Sequence, residues 1–155
     1  MNRARYTLLV VEDDDLDIEK LKRSYRRMNV AVDLLCAVDG EQALTLLRDQ
    51  IEKHALRRPP VMLVDINLPG LSGLELLERI RLDPTIASTP VFIVSTSSRP
   101  EDINEAYRHN VAGYFAKPMT MADTYEMVQT LHQYWSMTLL PSTVTIDTGR
   151  FRSTA

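Results

Sequence analysis

Acidic residues follow an apolar run near the N-terminus of the chain. The stretch LLVVEDDDLD (8–17) passes from four apolar residues to five acids within six positions. Carboxylates this close repel one another and raise one another's pKa unless something positive lies among them. A bound cation or the N-terminus of a helix would relieve that repulsion. Glu12 and Asp13 are hard oxygen ligands of the kind that Mg²⁺ prefers, whereas Asp14 and Asp15 are placed to cap a helix.

Three further apolar runs also end in residues that can do chemistry. VMLVD ends at Asp65, VFIV is followed by Ser95 and Thr96, and GYFA is followed by Lys117 and Pro118. Short apolar runs of this kind are typical of strands buried in a parallel sheet. Because the functional groups of such sheets collect at the carboxyl ends of the strands, we expect these residues to meet at one edge.

The combination predicts phosphoryl-transfer chemistry. With Mg²⁺ offsetting the negative charge, Asp65 can act as a nucleophile toward a phosphoryl group and form an aspartyl phosphate. The carbonyl of Asn67 is placed to serve as a further metal ligand. Lys117 supplies a mobile positive charge for a phosphoryl oxygen, and the hydroxyl of Ser95 can donate to another.

The elements that must position these residues alternate along the chain. The predicted strands are 6–11, 32–37, 61–66, 90–94 and 113–115. The predicted helices are 15–28, 41–53, 74–81, 101–109 and 120–137. Five strands alternating with five helices predict an α/β fold, a doubly wound parallel sheet with helices on both faces and right-handed crossovers.

Composition limits the class of protein. The 155 residues are 45% hydrophobic and 25% charged, which fits one globular domain. No apolar segment approaches the ~20 residues of a membrane helix, and the net charge of −3 gives no general reason to bind nucleic acid. The single cysteine, Cys36, excludes an internal disulfide. We therefore expect a cytoplasmic protein that binds neither membranes nor nucleic acid.

Four segments together resemble the receiver domain of two-component response regulators. They are VVEDD, VMLVDINLPGLSGLELL, PVFIVSTSS and AGYFAKP, and the resemblance extends over about residues 6 to 138. The intervals also agree, with 30 residues from Asp65 to Ser95 and 22 from Ser95 to Lys117. The resemblance implies a flavodoxin-like sheet in the order 2-1-3-4-5.

The resemblance also implies roles for individual residues. Asp65 is similar to the phosphoacceptor, and Lys117, Ser95 and Thr96 are the other expected catalytic residues. The metal ligands it implies are Glu12, Asp13, Asp65 and the Asn67 carbonyl. Ser95 and Lys117 correspond to the switch hydroxyl and the lysine of the family pattern. Tyr114 corresponds to the aromatic residue whose rotamer reports phosphorylation, and the bond before Pro118 is expected to be cis.

One residue departs from the family pattern, and two segments resemble a particular subgroup of the family. Many members carry Asp where this chain has Glu12, so we expect Glu12 to reach the metal through water. The loop at 54–60 and the STSS segment resemble the single-domain subgroup that partners bacteriophytochromes. A sensor histidine kinase is then the expected phosphoryl donor.

Other functions fit the sequence less well. A phosphatase of the haloacid dehalogenase kind needs a second Asp two residues after its nucleophile, where this chain has Asn67. A flavin carrier needs a phosphate-binding loop rich in Ser, Thr and Gly after the first strand, where this chain has acids. A phosphorelay intermediate that passes its phosphoryl group to a phosphotransfer histidine remains an alternative to a stand-alone response regulator.

The C-terminal part predicts a dimer. We expect a receiver domain over residues 1–140 and a tail without its own fold over 141–155. In the last helix a predicted core stripe comprises Met121, Tyr125, Val128, Leu131 and Trp135. Other apolar residues, Met127, Tyr134 and Met137, fall partly on another face, and aromatic and Met side chains are enriched at interfaces. We expect a homodimer through the fourth helix, fifth strand and fifth helix, extended by MTLLP (137–141) and by TVTI (143–146) as an edge strand.

Overall fold

The apolar runs form a five-stranded parallel sheet in the computed structural model, which describes residues 2–54 and 58–141. The strands are β1 (Asn2–Val11), β2 (Val30–Ala37), β3 (Pro60–Val64), β4 (Val91–Ser95) and β5 (Gly113–Ala116). Their order in the sheet is β2-β1-β3-β4-β5. The predicted fold class and strand order are therefore confirmed.

A helix follows each strand. The helices are α1 (Asp15–Arg27), α2 (Gly40–His54), α3 (Gly73–Leu82), α4 (Pro100–Arg108) and α5 (Met121–Met137). Side chains satisfy free backbone N–H groups at several helix starts, as expected for Asp, Ser and Thr. Asp14 caps α1, Ser72 caps α3 and Thr120 caps α5.

The first strand is longer than predicted. It begins at Asn2, because Asn2 and Arg3 pair with Val30 and Ala31 before the register shifts ahead of Thr7. These first residues are polar and mostly exposed, so apolar patterning gave no sign of them. Backbone hydrogen bonding to a neighbouring strand, rather than side-chain burial, extends the strand here.

Two apolar layers cover the two faces of the sheet. Successive residues of β1 point to opposite faces, so Leu9 and Val11 belong to one layer and Leu8 and Val10 to the other. The first layer is completed by α2, α3 and α4 and the second by α1 and α5. Both layers leave the carboxyl edge of the sheet free for polar groups.

The core stripe of α5 differs from the prediction. Val128, Leu131 and Trp135 are buried as expected, but Met121 and Tyr125 are only partly buried. Thr124 and Met127 are buried in their place. The helix is thus rotated relative to the predicted stripe, because its contacts with β1 and α1, and not its own periodicity alone, fix which face is buried.

Apolar residues continue past the end of α5. Leu140 packs against the second apolar layer, whereas Leu139 is fully exposed. The predicted tail and its TVTI strand lie at 142–155, outside the described residues. The division at residue 140 and the pairing of the tail therefore stay predictions.

Candidate functional site

Strand register places two predicted site residues side by side. Val11 of β1 pairs with Val64 of β3, so Glu12 and Asp65 leave adjacent strands at the same level. The Asp65 N–H donates to the Val11 carbonyl at 3.1 Å, which extends the ladder by one residue. Because both side chains follow the last paired residues, both reach the carboxyl edge of the sheet.

The same register argument brings Lys117 to this edge. Ser95 at the end of β4 pairs with Ala116 at the end of β5. The Lys117 N–H then donates to the Ser95 carbonyl at 2.9 Å. The long side chain of Lys117 reaches back across β4 toward Asp65.

The ammonium of Lys117 lies among three carboxylates. Its Nζ is 2.9 Å from Glu12 Oε2, 2.9 Å from Asp17 Oδ2 and 3.0 Å from Asp65 Oδ2. All four side chains are largely shielded, with exposures between 6% and 23%. The Lys117 ammonium therefore relieves part of the repulsion expected among the carboxylates, since three of the acids at this edge share its positive charge. We call Glu12, Asp17, Asp65 and Lys117 the acid–lysine cluster.

Burial and pairing act in opposite directions on the pKa values in the cluster. Burial alone would lower the pKa of Lys117, but its hydrogen bonds to Asp17, Glu12 and Asp65 outweigh burial and raise that pKa above its usual value. Burial raises the pKa of Glu12, against hydrogen bonds from Lys117 and the Asp14 backbone. Lys117 is therefore a fixed positive charge at neutral pH.

A tight turn after β3 fixes Asp65. Its Oδ1 accepts a hydrogen bond from the Asn67 N–H at 3.1 Å while Oδ2 faces Lys117. Gly73, the first residue of α3, packs against this turn so closely that a Cβ there would lie 2.2 Å from the Asp65 carbonyl oxygen. The Gly73 N–H also donates to the Ile66 carbonyl at 2.9 Å. The Asp65 carboxylate is thus held by backbone contacts on one side and by an ammonium on the other.

The remaining predicted metal ligands border the cluster. Asp13 and Asn67 are exposed at the ends of β1 and β3. Across residues 2–54 and 58–141, no three His, Cys, Asp or Glu side chains come together as a metal site. The predicted set does not require three, because it combines two direct carboxylates with a backbone carbonyl and water-mediated contact from Glu12.

Ser95 is turned away from the cluster. It is buried, and its Oγ accepts a hydrogen bond from the Ser97 N–H at 3.1 Å. The Ser97 carbonyl accepts from the Tyr114 hydroxyl at 2.8 Å, and the Ser97 hydroxyl donates to Asp102 in the first turn of α4. Ser97 therefore connects the predicted switch hydroxyl, the predicted reporter tyrosine and α4. We call Ser95, Ser97, Asp102 and Tyr114 the serine hub.

Two further predicted residues fall around this site. Thr96 is exposed between Ser95 and Ser97. The predicted cis bond between Lys117 and Pro118 is wrong: the bond is trans, as are all peptide bonds in the described part of the chain. An X–Pro bond favours trans by about 0.5–1 kcal/mol, and Lys117 reaches all three carboxylates without departing from that preference.

Sequence reasoning missed Asp17 and Ser97. Asp17 was visible as the last acid of the N-terminal segment, four residues before the buried Leu21 and hence on the inward side of α1. That spacing was the available signal. Ser97 makes two of its four hydrogen bonds through backbone groups, which no residue pattern reveals.

No helix in the described portion of the chain has the length and apolar character needed to cross a membrane.

Comparison with known proteins assigns the family. The model of the response regulator receiver domain matches residues 8–129. The chain therefore belongs to the response regulator receiver family, and the resemblance inferred from its motifs is confirmed. The match spans β1 to the middle of α5 and includes every residue of the acid–lysine cluster and the serine hub.

Several similar proteins are response regulators, one of them named for phytochrome and one for red light signalling. Response regulator Rcp1 of Synechocystis sp. (strain PCC 6803) is 30% identical over 132 residues, which cover 85% of this chain and 90% of Rcp1. A structure of the Mn²⁺-bound form of Rcp1 has a TM-score of 0.76 at 29% identity, covering 88% of this chain and 99% of Rcp1. The phosphorylated cyanobacterial phytochrome response regulator RcpA gives a TM-score of 0.78 at 31% identity, covering 90% of this chain and all of RcpA. RPA3017, from red light signalling in R. palustris, gives 0.77 at 31% identity, with coverages of 88% and 99%.

Proposed function

We propose that this protein is a stand-alone response regulator that accepts a phosphoryl group from a sensor histidine kinase on Asp65. The observation that carries the proposal is the pairing of the Asp65 carboxylate with the Lys117 ammonium at 3.0 Å, at the end of a buried strand. A carboxylate held this way is an oriented nucleophile with a positive charge beside it.

The transfer would exchange one bond to phosphorus for another. A carboxylate oxygen of Asp65 attacks the phosphorus, the bond from phosphorus to the donor's nitrogen or oxygen breaks, and the donor leaves with that electron pair. The product is an acyl phosphate on Asp65. The Lys117 ammonium would move from the Asp65 carboxylate to an oxygen of the new phosphoryl group. The Ser95 hydroxyl would exchange its contact with Ser97 for a hydrogen bond to a second phosphoryl oxygen.

The oxygen groups at this edge suit a magnesium ion. Asp13, Asp65 and the Asn67 carbonyl would hold it directly and Glu12 through water, which is the mixed carboxylate, carbonyl and water set that Mg²⁺ prefers. When bound, the ion would neutralise charge on the carboxylates and on the incoming phosphoryl group. The existence of an Mn²⁺-bound form of the relative Rcp1 supports a divalent cation here.

The proposed partner is a kinase of the phytochrome class. The relatives Rcp1, RcpA and RPA3017 support it, because RcpA is named a phytochrome response regulator and RPA3017 is placed in red light signalling. A cytoplasmic location, as predicted from sequence, is part of the proposal. The output would pass through a protein surface, formed by α4, β5 and α5, that changes when Ser95 turns.

We also propose that this surface forms a homodimer. Tyr107 of α4, Met119 before α5, and Tyr134 and Met137 of α5 are between 44% and 78% exposed. Met127, which the sequence analysis counted toward the interface, is buried in the core and no longer supports it. The proposed interface thus lacks Met127 but keeps two aromatic and two Met side chains, which are residue types enriched at interface cores.

Treatment with acetyl phosphate tests the phosphoacceptor. Intact-protein mass spectrometry should show one added phosphoryl group when Mg²⁺ is present and almost none when it is chelated. Asp65→Asn should abolish the addition. Asp15→Asn, which neutralises an exposed acid in α1, is the matched control and should retain it. A modification that survives Asp65→Asn would place the acceptor elsewhere.

A further inference from the structure

The ammonium of Lys117 has no free hydrogen-bond donor in this structure. A lysine ammonium carries three N–H donors, and Glu12, Asp17 and Asp65 occupy one each at 2.9 to 3.0 Å. A phosphoryl oxygen that binds Lys117 must therefore displace one of these three carboxylates. Which one gives way determines how easily the site accepts a phosphoryl group.

Glu12 is poorly suited to release the lysine. Its side chain is 8% exposed, and its other oxygen is already used by the Asp14 N–H at 3.1 Å. Without Lys117 it would be a buried carboxylate lacking a cation, which is strongly unfavourable. Asp65 is the proposed phosphoacceptor, so its contact with Lys117 must be kept or passed directly to the new phosphoryl oxygens.

Asp17 is the carboxylate that can let go. It lies on α1 rather than at a strand end, and its side chain is 23% exposed. Its other oxygen is 3.7 Å from the ammonium of Lys20, one turn further along the helix. If Lys117 leaves, water and Lys20 can still solvate and balance Asp17.

The space around the lysine also permits such a move. A cavity borders the cluster and is lined by all four of its side chains together with apolar side chains that include Leu21, Val94 and Met127. The flexible four-carbon stem of a lysine can shift within such a space without disturbing the backbone.

We propose that Asp17 is a positioning residue that holds Lys117 in reserve and competes with the incoming phosphoryl group for its ammonium. This inference rests on the proposed function at Asp65. Asp17 would then help to set the rate of phosphorylation. None of the site residues predicted from the sequence has that role. Removing its charge frees one N–H donor of Lys117 and weakens repulsion of an anionic phosphodonor, so both effects act in the same direction.

The test compares Asp17→Asn with Asp15→Asn and with wild type. The two substitutions remove the same charge from the same helix, but only Asp17 contacts Lys117. In saturating Mg²⁺, Asp17→Asn should be phosphorylated by acetyl phosphate about three- to tenfold faster than wild type, and Asp15→Asn less than twofold faster. Binding of beryllofluoride, a phosphoryl analogue, should tighten in the same order.

A second readout separates positioning from simple stabilisation. The ¹⁵N resonance of the Lys117 ammonium in the unphosphorylated protein should shift in Asp17→Asn and remain in place in Asp15→Asn. Equal phosphorylation rates for the two variants, or a rate for Asp17→Asn below wild type, would refute the role of Asp17 alone. Wild type that takes no phosphoryl group at Asp65 would instead refute the proposed function, and this inference with it.

Discussion

The acid–lysine cluster and the serine hub lie at neighbouring strand ends but are held together differently. In the cluster, four charged side chains form three ion pairs of 2.9 to 3.0 Å with little exposure. In the hub, hydroxyl and backbone groups form hydrogen bonds around Ser97, and Asp102 contributes the single carboxyl group. The first holds charge in place, and the second holds a loop and a helix.

This difference suggests a division of labour. Buried ion pairs are costly to break singly, so the cluster is suited to orient a nucleophile without rearranging its strands. Neutral hydrogen bonds contribute about 0.5–1.5 kcal/mol each, so the hub can exchange partners at modest cost. Ser95 links the two, since its carbonyl accepts from the Lys117 N–H while its hydroxyl accepts from the Ser97 N–H. A phosphoryl group that captured this hydroxyl would therefore disturb the hub first.

We call the carboxyl edge of the sheet around the acid–lysine cluster the reaction edge. The largest expected effect tests whether this edge is rigid. Gly73→Ala should destabilise the protein by about 2–4 kcal/mol, because the new Cβ would lie 2.2 Å from the Asp65 carbonyl oxygen and backbone would have to move. Urea unfolding measures this change. Gly70→Ala is the control: its φ is +70° but no atom lies within 4 Å of the added Cβ, so about 1 kcal/mol is expected. Equal costs for the two variants would show that the turn after β3 yields easily.

A second prediction tests whether the surface formed by α4, β5 and α5 is an interface. The double substitution Tyr134→Ser and Met137→Ser should weaken self-association at least about tenfold, since both side chains are exposed apolar residues at the end of α5. Light scattering over a concentration series measures the change. Leu82→Ser removes an equally exposed apolar residue from α3 and should leave association unaltered. Wild type that stays monomeric at high concentration, phosphorylated or not, would disprove the dimer.

A third prediction tests whether the serine hub transmits the effect of phosphorylation at Asp65 to α4. Ser97→Ala removes the hydroxyl that donates to Asp102 and accepts from the Arg99 N–H, but keeps both backbone contacts. Phosphorylation of Asp65 should stay within about twofold of wild type, while amide shifts in α4 on activation should shrink. Ser98→Ala, at an exposed neighbouring position, is the control. Wild-type shifts in Ser97→Ala would remove the hydroxyl from the relay.

The sequence predicted the reaction edge better than the hub, and the reason is physical. Strand ends are visible as the points where apolar runs stop, and parallel strands bring those ends together whatever the details of packing. Glu12, Asp65 and Lys117 were found in this way. Tertiary contacts fix the rotation of a helix, and this hid the burial of Met127 on α5. Asp17 carried a signal in its spacing from Leu21, whereas two of the four contacts of Ser97 use backbone groups, which no residue pattern reveals.

A third polar group lies inside the layer formed by α1 and α5. The hydroxyl of Tyr6 is 3.0 Å from the Tyr25 hydroxyl and 2.7 Å from Nδ1 of His132. Burial raises the pKa of Tyr6 to about 12, against the hydrogen bond from Tyr25, and raises that of Tyr25 as well. Both tyrosines therefore stay protonated at neutral pH. Burial lowers the pKa of His132, so Nδ1 of a neutral ring can accept a hydrogen bond from the Tyr6 hydroxyl.

The smallest expected effect comes from charging this neutral group, in contrast to the charged cluster. The lowered pKa of His132 means that its contribution to stability is present above about pH 6.5, its unfolded value, and is lost as pH falls through the folded value. Protonation also places a donor on Nδ1 opposite the Tyr6 hydroxyl and forces that hydroxyl to reverse.

Urea midpoints at pH 7.5 and pH 5.5 should therefore differ more for wild type than for His132→Gln. The difference should be small, because His132 is only partly buried and water screens its charge. His109→Gln, which removes a histidine paired with Glu105 on α4, controls for the loss of a titrating ring. If His132→Gln keeps the full wild-type difference between the two pH values, the Tyr6–His132 contact does not make stability depend on pH. The apolar layer under α1 and α5 would then tolerate a charge on His132.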